Sequence, residues 1–439
     1  MNLKNIIKEH KLIDLFVQLC EIPSPSLKEN ELSSYIMDIM KIHGIKSGFD
    51  KYGNIMAKIP PTSECKNVPP ILLSAHMDVI GGTDRVNIKL SANKKYIETD
   101  KTRTLGADNK AGVAAILDLA IKLNNLGSKI EHGPIEITFT RDEEKGMTGI
   151  RNLDTSKLNS KYAIIADGER LGELDVEGAG FTNVFISASE GKGGHSGINI
   201  SDKTRVNALK VISEIDSKIP QGVYKENEKG VITSINAAAG IGGTTFDYVS
   251  EIIKEIYQLG KNKKKLDEKY DLANILDVIS RESMLNVIAS NARMSYSIRS
   301  SEPESEKELI NHIKQVVKDT DNRHRGFVKC EVEVQCHLKP FIKSDDDTLV
   351  NIILDAASEN NIESKPSSFH AGAETHVLAN EKLNAKGEKF APVIMGIANL
   401  RNIHSSDEMI DWRSYLEGRK WLEDTVIKFA ERHKESVVE

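Results

Sequence analysis

The segment TFTRDEEKGM (138–147) runs an apolar strand straight into Asp142, Glu143 and Glu144. Adjacent carboxylates repel and raise one another's pKa, so such a run is either solvated or faces positive charge. Other chemistry-bearing residues sit at comparable places. ILLSAHMDV ends in His76 and Asp78, TLGADNKAG places Asp108 before an Ala-rich helix, YAIIADGE ends in Asp167, and VIMGIANLRNIHSSDE presents His404. Singly, each has a bland reading: Asp108 as a helix-dipole or capping acid, Asp167 as turn chemistry before glycine, each histidine as a hydrogen-bonded structural residue. Jointly, two histidines and three carboxylates form an oxygen/nitrogen donor set without thiolate, as expected for zinc, manganese or cobalt. One carboxylate shared between two metals, each with its own histidine and acid, uses all five. One of the paired glutamates is then left over as general base for a water that the two metals activate together.

These residues need a sheet edge to gather them. IMAKIP, ILLSAHMDV, PIEITFT and YAIIAD read as strands, and AGVAAILDLAIKLNNLG (111–127) reads as a helix. That β-α-β alternation implies an α/β domain with a mostly parallel sheet covered by helices, whose sites form at the carboxyl ends of the strands. From about residue 183 the pattern changes. FTNVFISASEG, NARMSYSIRSS and VKCEVEVQCHL alternate like half-exposed strands, with helical patterns at VNALKVISEIDSKI and ESEKELINHIKQVVKDT. This is an α+β module with an antiparallel sheet, inserted into the first domain. The α/β character returns after residue 340 and ends in the helix DWRSYLEGRKWLEDTVIKFAERH. The expected domains are therefore 1–182 and 339–439 for the two parts of the α/β domain and 183–338 for the insertion. The stretch 245–283 reads as an elaboration of that insertion. At the N-terminus, helical spacing from MNLKNIIKEH to VQLC predicts a first helix, and the Pro-Ser run of EIPSPSLKE breaks the chain before a second.

The 439 residues carry 59 basic and 65 acidic side chains, a formal net charge of -6. The charges are mixed, which argues against nucleic acid as the partner. The one dense basic stretch, GKNKKKLDEK (260–269), reads as a solvated helix end or loop. No signal-peptide h-region and no transmembrane-length apolar run is present. Cys20, Cys65, Cys330 and Cys336 form no CxxC pair and are too few for a disulfide framework, so a cytoplasmic protein with reduced thiols is expected.

SAHMDV, TLGADNKAGVAA, FTRDEEKGMTG, ADGE, GGHSG and IHSSDE, in this order and spacing, closely resemble the two-zinc exopeptidase family of peptidase T, the Xaa-His dipeptidases and carboxypeptidase G, which also includes aminoacylases. The resemblance spans almost the whole chain. It implies that His76 and Asp167 hold one zinc, Glu144 and His404 the other, and Asp108 bridges both. Glu143 would be the general base, and Asp78 would orient His76. The insertion would be a lid. Its EGKGGHSG turn would bring His195 to the scissile carbonyl to stabilise the oxyanion; without the family this is a glycine-rich hairpin with an incidental histidine. Arg299, at the end of SYSIRSS, matches a family arginine able to grip a substrate carboxylate, with a surface salt bridge as the competing reading. FHAGAETHV (369–377) falls where the family has a substrate loop, which makes Glu374 and His370 candidates for substrate contact. Asp142 reads as a structural or solvated acid.

LGADNKAG and ADGE…GELDVEGAG look most like peptidase T, whereas GGHSG and FHAGAE look like the Xaa-His dipeptidases. Ser196 stands where peptidase T has a proline. Aspartate at position 167 goes, in the family, with aminopeptidases and dipeptidases. The resemblance thus implies a peptidase for short peptides, with two divalent ions (Zn2+, with Mn2+ or Co2+ as alternatives), and leaves a homodimer formed through the lid as an open alternative to a monomer. An amidohydrolase acting on N-acyl amino acids is the alternative within the same chemistry. A non-catalytic interaction protein is the third reading, disfavoured because every expected ligand position is filled.

Overall fold

The computed structural model describes residues 2–125, 130–227, 230–242 and 287–435. The stretch 245–283 and the basic run 260–269 lie outside the described residues. The chain packs as two compact units, one of residues 1–178 with 341–439 and one of residues 179–340.

The first unit is built on an eight-stranded sheet, in the order Lys46–Phe49, Ile55–Ile59, Ile135–Thr140, Ile71–His76, Tyr162–Ile165, Ala391–Met395, Glu173–Gly178 and Lys365–Phe369. The four central strands from Ile135–Thr140 to Ala391–Met395 are mutually parallel. Antiparallel pairings lie outside them, so the sheet is largely parallel with mixed edges. Ile71–His76 and Ile135–Thr140 are buried along their whole length, as expected of strands covered on both faces. Their apolar runs therefore report double-sided burial rather than alternation. The helix Ala107–Leu123 packs on the strand Ile71–His76 and on the helix Lys11–Glu21. Gly112 permits that approach: a Cβ there would stand 2.3 Å from the backbone oxygen of Ala166, at the strand end leading to Asp167. Tyr415, from the C-terminal helix Trp412–Glu435, is fully buried and donates to the Ala111 carbonyl at 2.7 Å, tying the last element to the first half of the chain.

Two local details depart from the sequence reading. The N-terminal helix is two helices, Leu3–Glu9 and Lys11–Glu21, with His10 in extended backbone between them. A small four-stranded sheet also forms from Leu400–Arg401, Met409–Asp411, Tyr96–Thr99 and Ile88–Leu90, pieces too short to show a period. All four cysteines are free.

The second unit carries a five-stranded antiparallel sheet, in the order Gly222–Asn227, Gly230–Gly242, Ala292–Ser300, Gly180–Ser189 and Lys329–Leu338. Gly180–Ser189 alternates strictly between buried and half-buried residues, the pattern of a sheet covered on one face. On the covered face Val184, Ile186, Tyr296 and Ile298 meet Val211 and Ile215 of the helix Ala208–Asp216, and Leu309 and Ile313 of the helix Pro303–Arg323. The other face bears cation–π pairs: Arg299 lies 4.1 Å from the Phe181 ring centroid and Arg293 4.6 Å from that of Phe185. No helix among the described residues is long and apolar enough to cross a membrane.

Candidate active site

Because the central strands are parallel, their carboxyl ends open on one edge. There the structure brings together His76, Asp108, Glu144, Asp167 and His404. His76 Nε2 lies 3.1 Å from one Asp108 oxygen and 3.4 Å from Asp167 Oδ1. His404 Nε2 lies 3.1 Å from the other Asp108 oxygen and 3.0 Å from Glu144 Oε2. The two oxygens of Asp108 thus face two separate imidazole–carboxylate pairs. Four of the five residues are buried or nearly so, whereas His404 is half exposed.

His76 Nδ1 meets the backbone oxygen of Asp78 at 2.9 Å. A carbonyl only accepts, so Nδ1 carries the proton and Nε2 of the neutral ring presents a lone pair to the carboxylates. Lone pairs facing lone pairs require a cation or a proton between them. The electrostatics make the same demand. Burial opposes charging His76, yet Asp167 and Asp108 push it well above the usual imidazole range. The hydrogen bond to Asp108, with Glu144 adding, pushes His404 up to about 9. Burial, with Asp108 and Asp78 adding, pushes Glu144 up to about 7, and burial raises Asp167 as well. Asp108 is held low against its burial by the two histidines. Glu144 Oε1 is buried with no hydrogen-bond partner among the described residues. The donor set, the orphaned oxygen and the uncompensated charge all fit a pair of divalent cations.

Glu143, half-buried, stands in the turn that follows the strand Ile135–Thr140. Burial, then Asp167 and Glu144, raises its pKa well above the carboxylate range. Asp78 does more than face His76, whose Nδ1 is 3.5 Å from its Oδ1. Its carboxylate accepts the amides of Glu143 at 2.9 Å and Glu144 at 3.2 Å, and the Ser26 hydroxyl at 2.8 Å. Asp142 is structural rather than solvated: it is buried, has φ +53° and accepts from Thr148 Oγ1.

The remaining candidates are placed differently. Glu374 is fully buried at the start of the helix Glu374–Glu381; Ser74 Oγ is 3.4 Å from its Oε2, while Oε1 has no partner among the described residues. Burial pushes its pKa up to about 7. His370 is exposed in the bend before that helix. His195 and Arg299 belong to the second unit. His195 is exposed, and its Nδ1 accepts the amides of Gly197 and Ile198 at 3.1 Å each. Arg299 is half-buried over Phe181, and the removal of water lowers its pKa.

Sequence reasoning missed two supporting acids. Glu408, in the IHSSDE stretch, is 1% exposed and accepts from Thr104 Oγ1, from the Gly106 amide at 2.6 Å and from the Asp108 amide at 3.0 Å. Glu29, in EIPSPSLKE, is fully buried and accepts from Arg141 and from the Asp142 amide. Both stood in quoted motifs, but a string of letters does not show which backbone amides lack a partner.

Residues 72–428 match the model of Peptidase family M20/M25/M40. The chain is 28% identical over 382 residues to the cytosol non-specific dipeptidase of Escherichia coli, spanning 78% of this chain and 76% of that protein. It is 27% identical over 336 residues to the peptidase T of Halothermothrix orenii, spanning 65% of this chain and 78% of that protein. Among solved structures, the aminopeptidase PepT from Bacillus cereus shares the fold, with a TM-score of 0.76 at 20% identity over 95% of this chain and 98% of that one. With a carboxylate- and imidazole-rich centre at the carboxyl edge of its parallel strands, the chain belongs to peptidase family M20/M25/M40 and is a metal-dependent peptidase.

Proposed function

We propose that the protein hydrolyses di- or tripeptides from their amino-terminal side, using two zinc ions. The observation that carries this reading is Asp108, whose two oxygens each face a separate imidazole paired with its own carboxylate. His76 and Asp167 would hold one cation, His404 and Glu144 the other, and Asp108 would bridge them. When bound, the pair supplies Lewis acidity that polarises the scissile carbonyl and acidifies a water. Glu143 takes the proton from the attacking water as the new C–O bond gives a tetrahedral intermediate, then passes it to the amine nitrogen, and the peptide C–N bond breaks as that intermediate collapses. Asp78 holds the Glu143 and Glu144 amides, fixing the base relative to its neighbouring ligand.

In the second unit, the two amides on His195 Nδ1 make that nitrogen an acceptor, so neutral His195 carries its proton on Nε2. That tautomer suits a donor to the oxyanion of the tetrahedral intermediate. Arg299 is a candidate for the substrate's carboxylate. His370 and Glu374 are candidates for substrate contact, Glu374 from a fully buried position. A cytoplasmic location accords with the relative named as a cytosol dipeptidase.

Glu143→Gln is expected to lower kcat by about 10²–10⁴-fold, while zinc content by elemental analysis stays at the parental value. Parental turnover in that variant would remove Glu143 as base. A panel of dipeptides, tripeptides and N-acyl amino acids should show cleavage of the free peptides. Preference for the N-acyl compounds would replace this reading with an amidohydrolase.

A further inference from the structure

We propose that the buried Glu29–Arg141 ion pair is a positioning device for Glu143, acting through the backbone of the loop that carries the base. Glu29 lies far from Glu143 in sequence, at the start of the helix Asn30–Ile42, yet its carboxylate is spent on the base's loop. Oε1 accepts the amides of Leu27 at 2.8 Å and Asp142 at 3.1 Å. Oε2 accepts Arg141 Nε at 2.9 Å and Nη2 at 2.7 Å, two charge-assisted bonds from one edge of the guanidinium converging on a single oxygen.

The other end of Arg141 is equally constrained. Nη1 donates to the Tyr52 carbonyl at 3.2 Å, and the side chain lies against Gly53. A Cβ on Gly53 would stand 2.9 Å from that nitrogen, and its φ of +96° independently favours glycine. The Arg141 backbone is held by Asn54 Oδ1 at 3.1 Å on its amide and by the Gly149 amide at 3.0 Å on its carbonyl. Successive amides then pass between two buried acids: Asp142 donates to Glu29, and Glu143 and Glu144 donate to Asp78. Ser26, three residues before Glu29, donates to the same Asp78. The loop 24–29 therefore contacts both Asp78 and the segment 141–144.

Energetics favour a role beyond general stability. A carboxylate buried without water needs its full set of donors, and breaking a buried pair leaves a charge uncompensated. Residues 141–144 are tied to that pair directly, through the Arg141 side chain and the Asp142 amide, so its loss frees the backbone that carries Glu143. A displacement of about 1 Å at a reacting group costs about 10²-fold in rate.

This inference rests on the peptidase reading for its kinetic arm, so the test has a second arm. Glu29→Gln, Arg141→Gln, Arg141→Lys and the double variant Glu29→Gln/Arg141→Gln are prepared as full chains and checked by circular dichroism and melting. On a free dipeptide with zinc, both Gln variants should lose about 10–100-fold in kcat with KM changed less than about threefold. Arg141→Lys should recover part of the loss, and the double variant should be no slower than the slower single variant, because the partners act as one unit. Cobalt titration read by visible absorption should saturate at parental stoichiometry in every variant, with an altered spectrum, since Glu144 shares the loop. Folded variants with parental kcat, a loss confined to KM, or additive losses in the double variant would each overturn the proposal. If the parent cleaves no peptide, the peptidase reading fails by itself. The cobalt spectrum then decides: altered in Arg141→Gln supports positioning, unaltered overturns it. Should Glu29→Gln not fold, the Arg141 variants carry the comparison, because that side chain is 17% exposed.

Discussion

At the scale of single residues, the site is organised by acids that bind backbone rather than metal. Glu408 shows why. Its carboxylate gathers the Gly106 and Asp108 amides and the Thr104 hydroxyl, so it determines where Asp108 stands between the two histidines. Removing it strands two amides in a buried environment at about 1–3 kcal/mol each. Glu408→Ala should therefore lower unfolding free energy in urea by that order, and weaken zinc affinity by about 10–100-fold, the usual penalty for losing a ligand's support. Unchanged zinc affinity in competition with a chelating dye would mean Asp108 is held by its other neighbours. The residue types that gather at strand ends were legible in the sequence because histidine and carboxylate after an apolar run is a local pattern. The supporting roles of Glu29, Glu408 and the Asp78 carboxylate were not. They depend on which amides are orphaned by turns such as that at Asp142, with φ +53°, and no local pattern reports that.

At the scale of elements, legibility followed length. Ile71–His76 and Ile135–Thr140 stand out as unbroken apolar runs, and Gly180–Ser189 as a strict alternation, because burial on two faces and on one imposes different periods. The strands of two to four residues in the small sheet contain too few side chains to show either. The break at His10 was hidden because residues on both sides keep apolar faces: Ile6 of one helix and Leu12, Ile13 and Phe16 of the next are all buried. In the second unit, Glu214 of the helix Ala208–Asp216 joins the helix Pro303–Arg323, with Nε2 of the neighbouring His324 at 3.0 Å and Arg323 also in contact. The His324 bond, with Lys218 and Arg323 adding, pulls its pKa down to about 2. A depressed carboxylate stabilises the fold above its unfolded pKa of about 4.3 and loses that contribution as pH falls toward the folded value. Hydrogen exchange in these two helices should therefore accelerate between about pH 4.3 and the folded value near 2, relative to Glu214→Gln, which lacks the titration. Equal pH dependence in parent and variant would assign the acid sensitivity elsewhere.

At the scale of the whole molecule, the proposed metal ligands come from both sides of the second unit in sequence. His76, Asp108, Glu144 and Asp167 precede it and His404 follows, yet all five lie in the first unit. A change from β-α-β alternation to half-exposed strands and back was visible in sequence. The parallel register that brings the two chain segments to one edge, with Ala391–Met395 beside Tyr162–Ile165, was not, because pairing between distant strands leaves no local signature. Cations held by both segments would link them across that separation. They would stabilise the first unit by mass action, about 2.7 kcal/mol at a free concentration 100 times Kd. The second unit contributes no residue to the five-membered cluster, so its own opening should not respond. Adding zinc to metal-free protein is expected to raise hydrogen-exchange protection in Ile71–His76, Tyr162–Ile165 and Ala391–Met395. Protection in Gly180–Ser189 and Lys329–Leu338 should stay at the metal-free level. An equal rise in both units would mean that they unfold as one cooperative body, and that the metals stabilise the chain as a whole rather than the edge where its two segments meet.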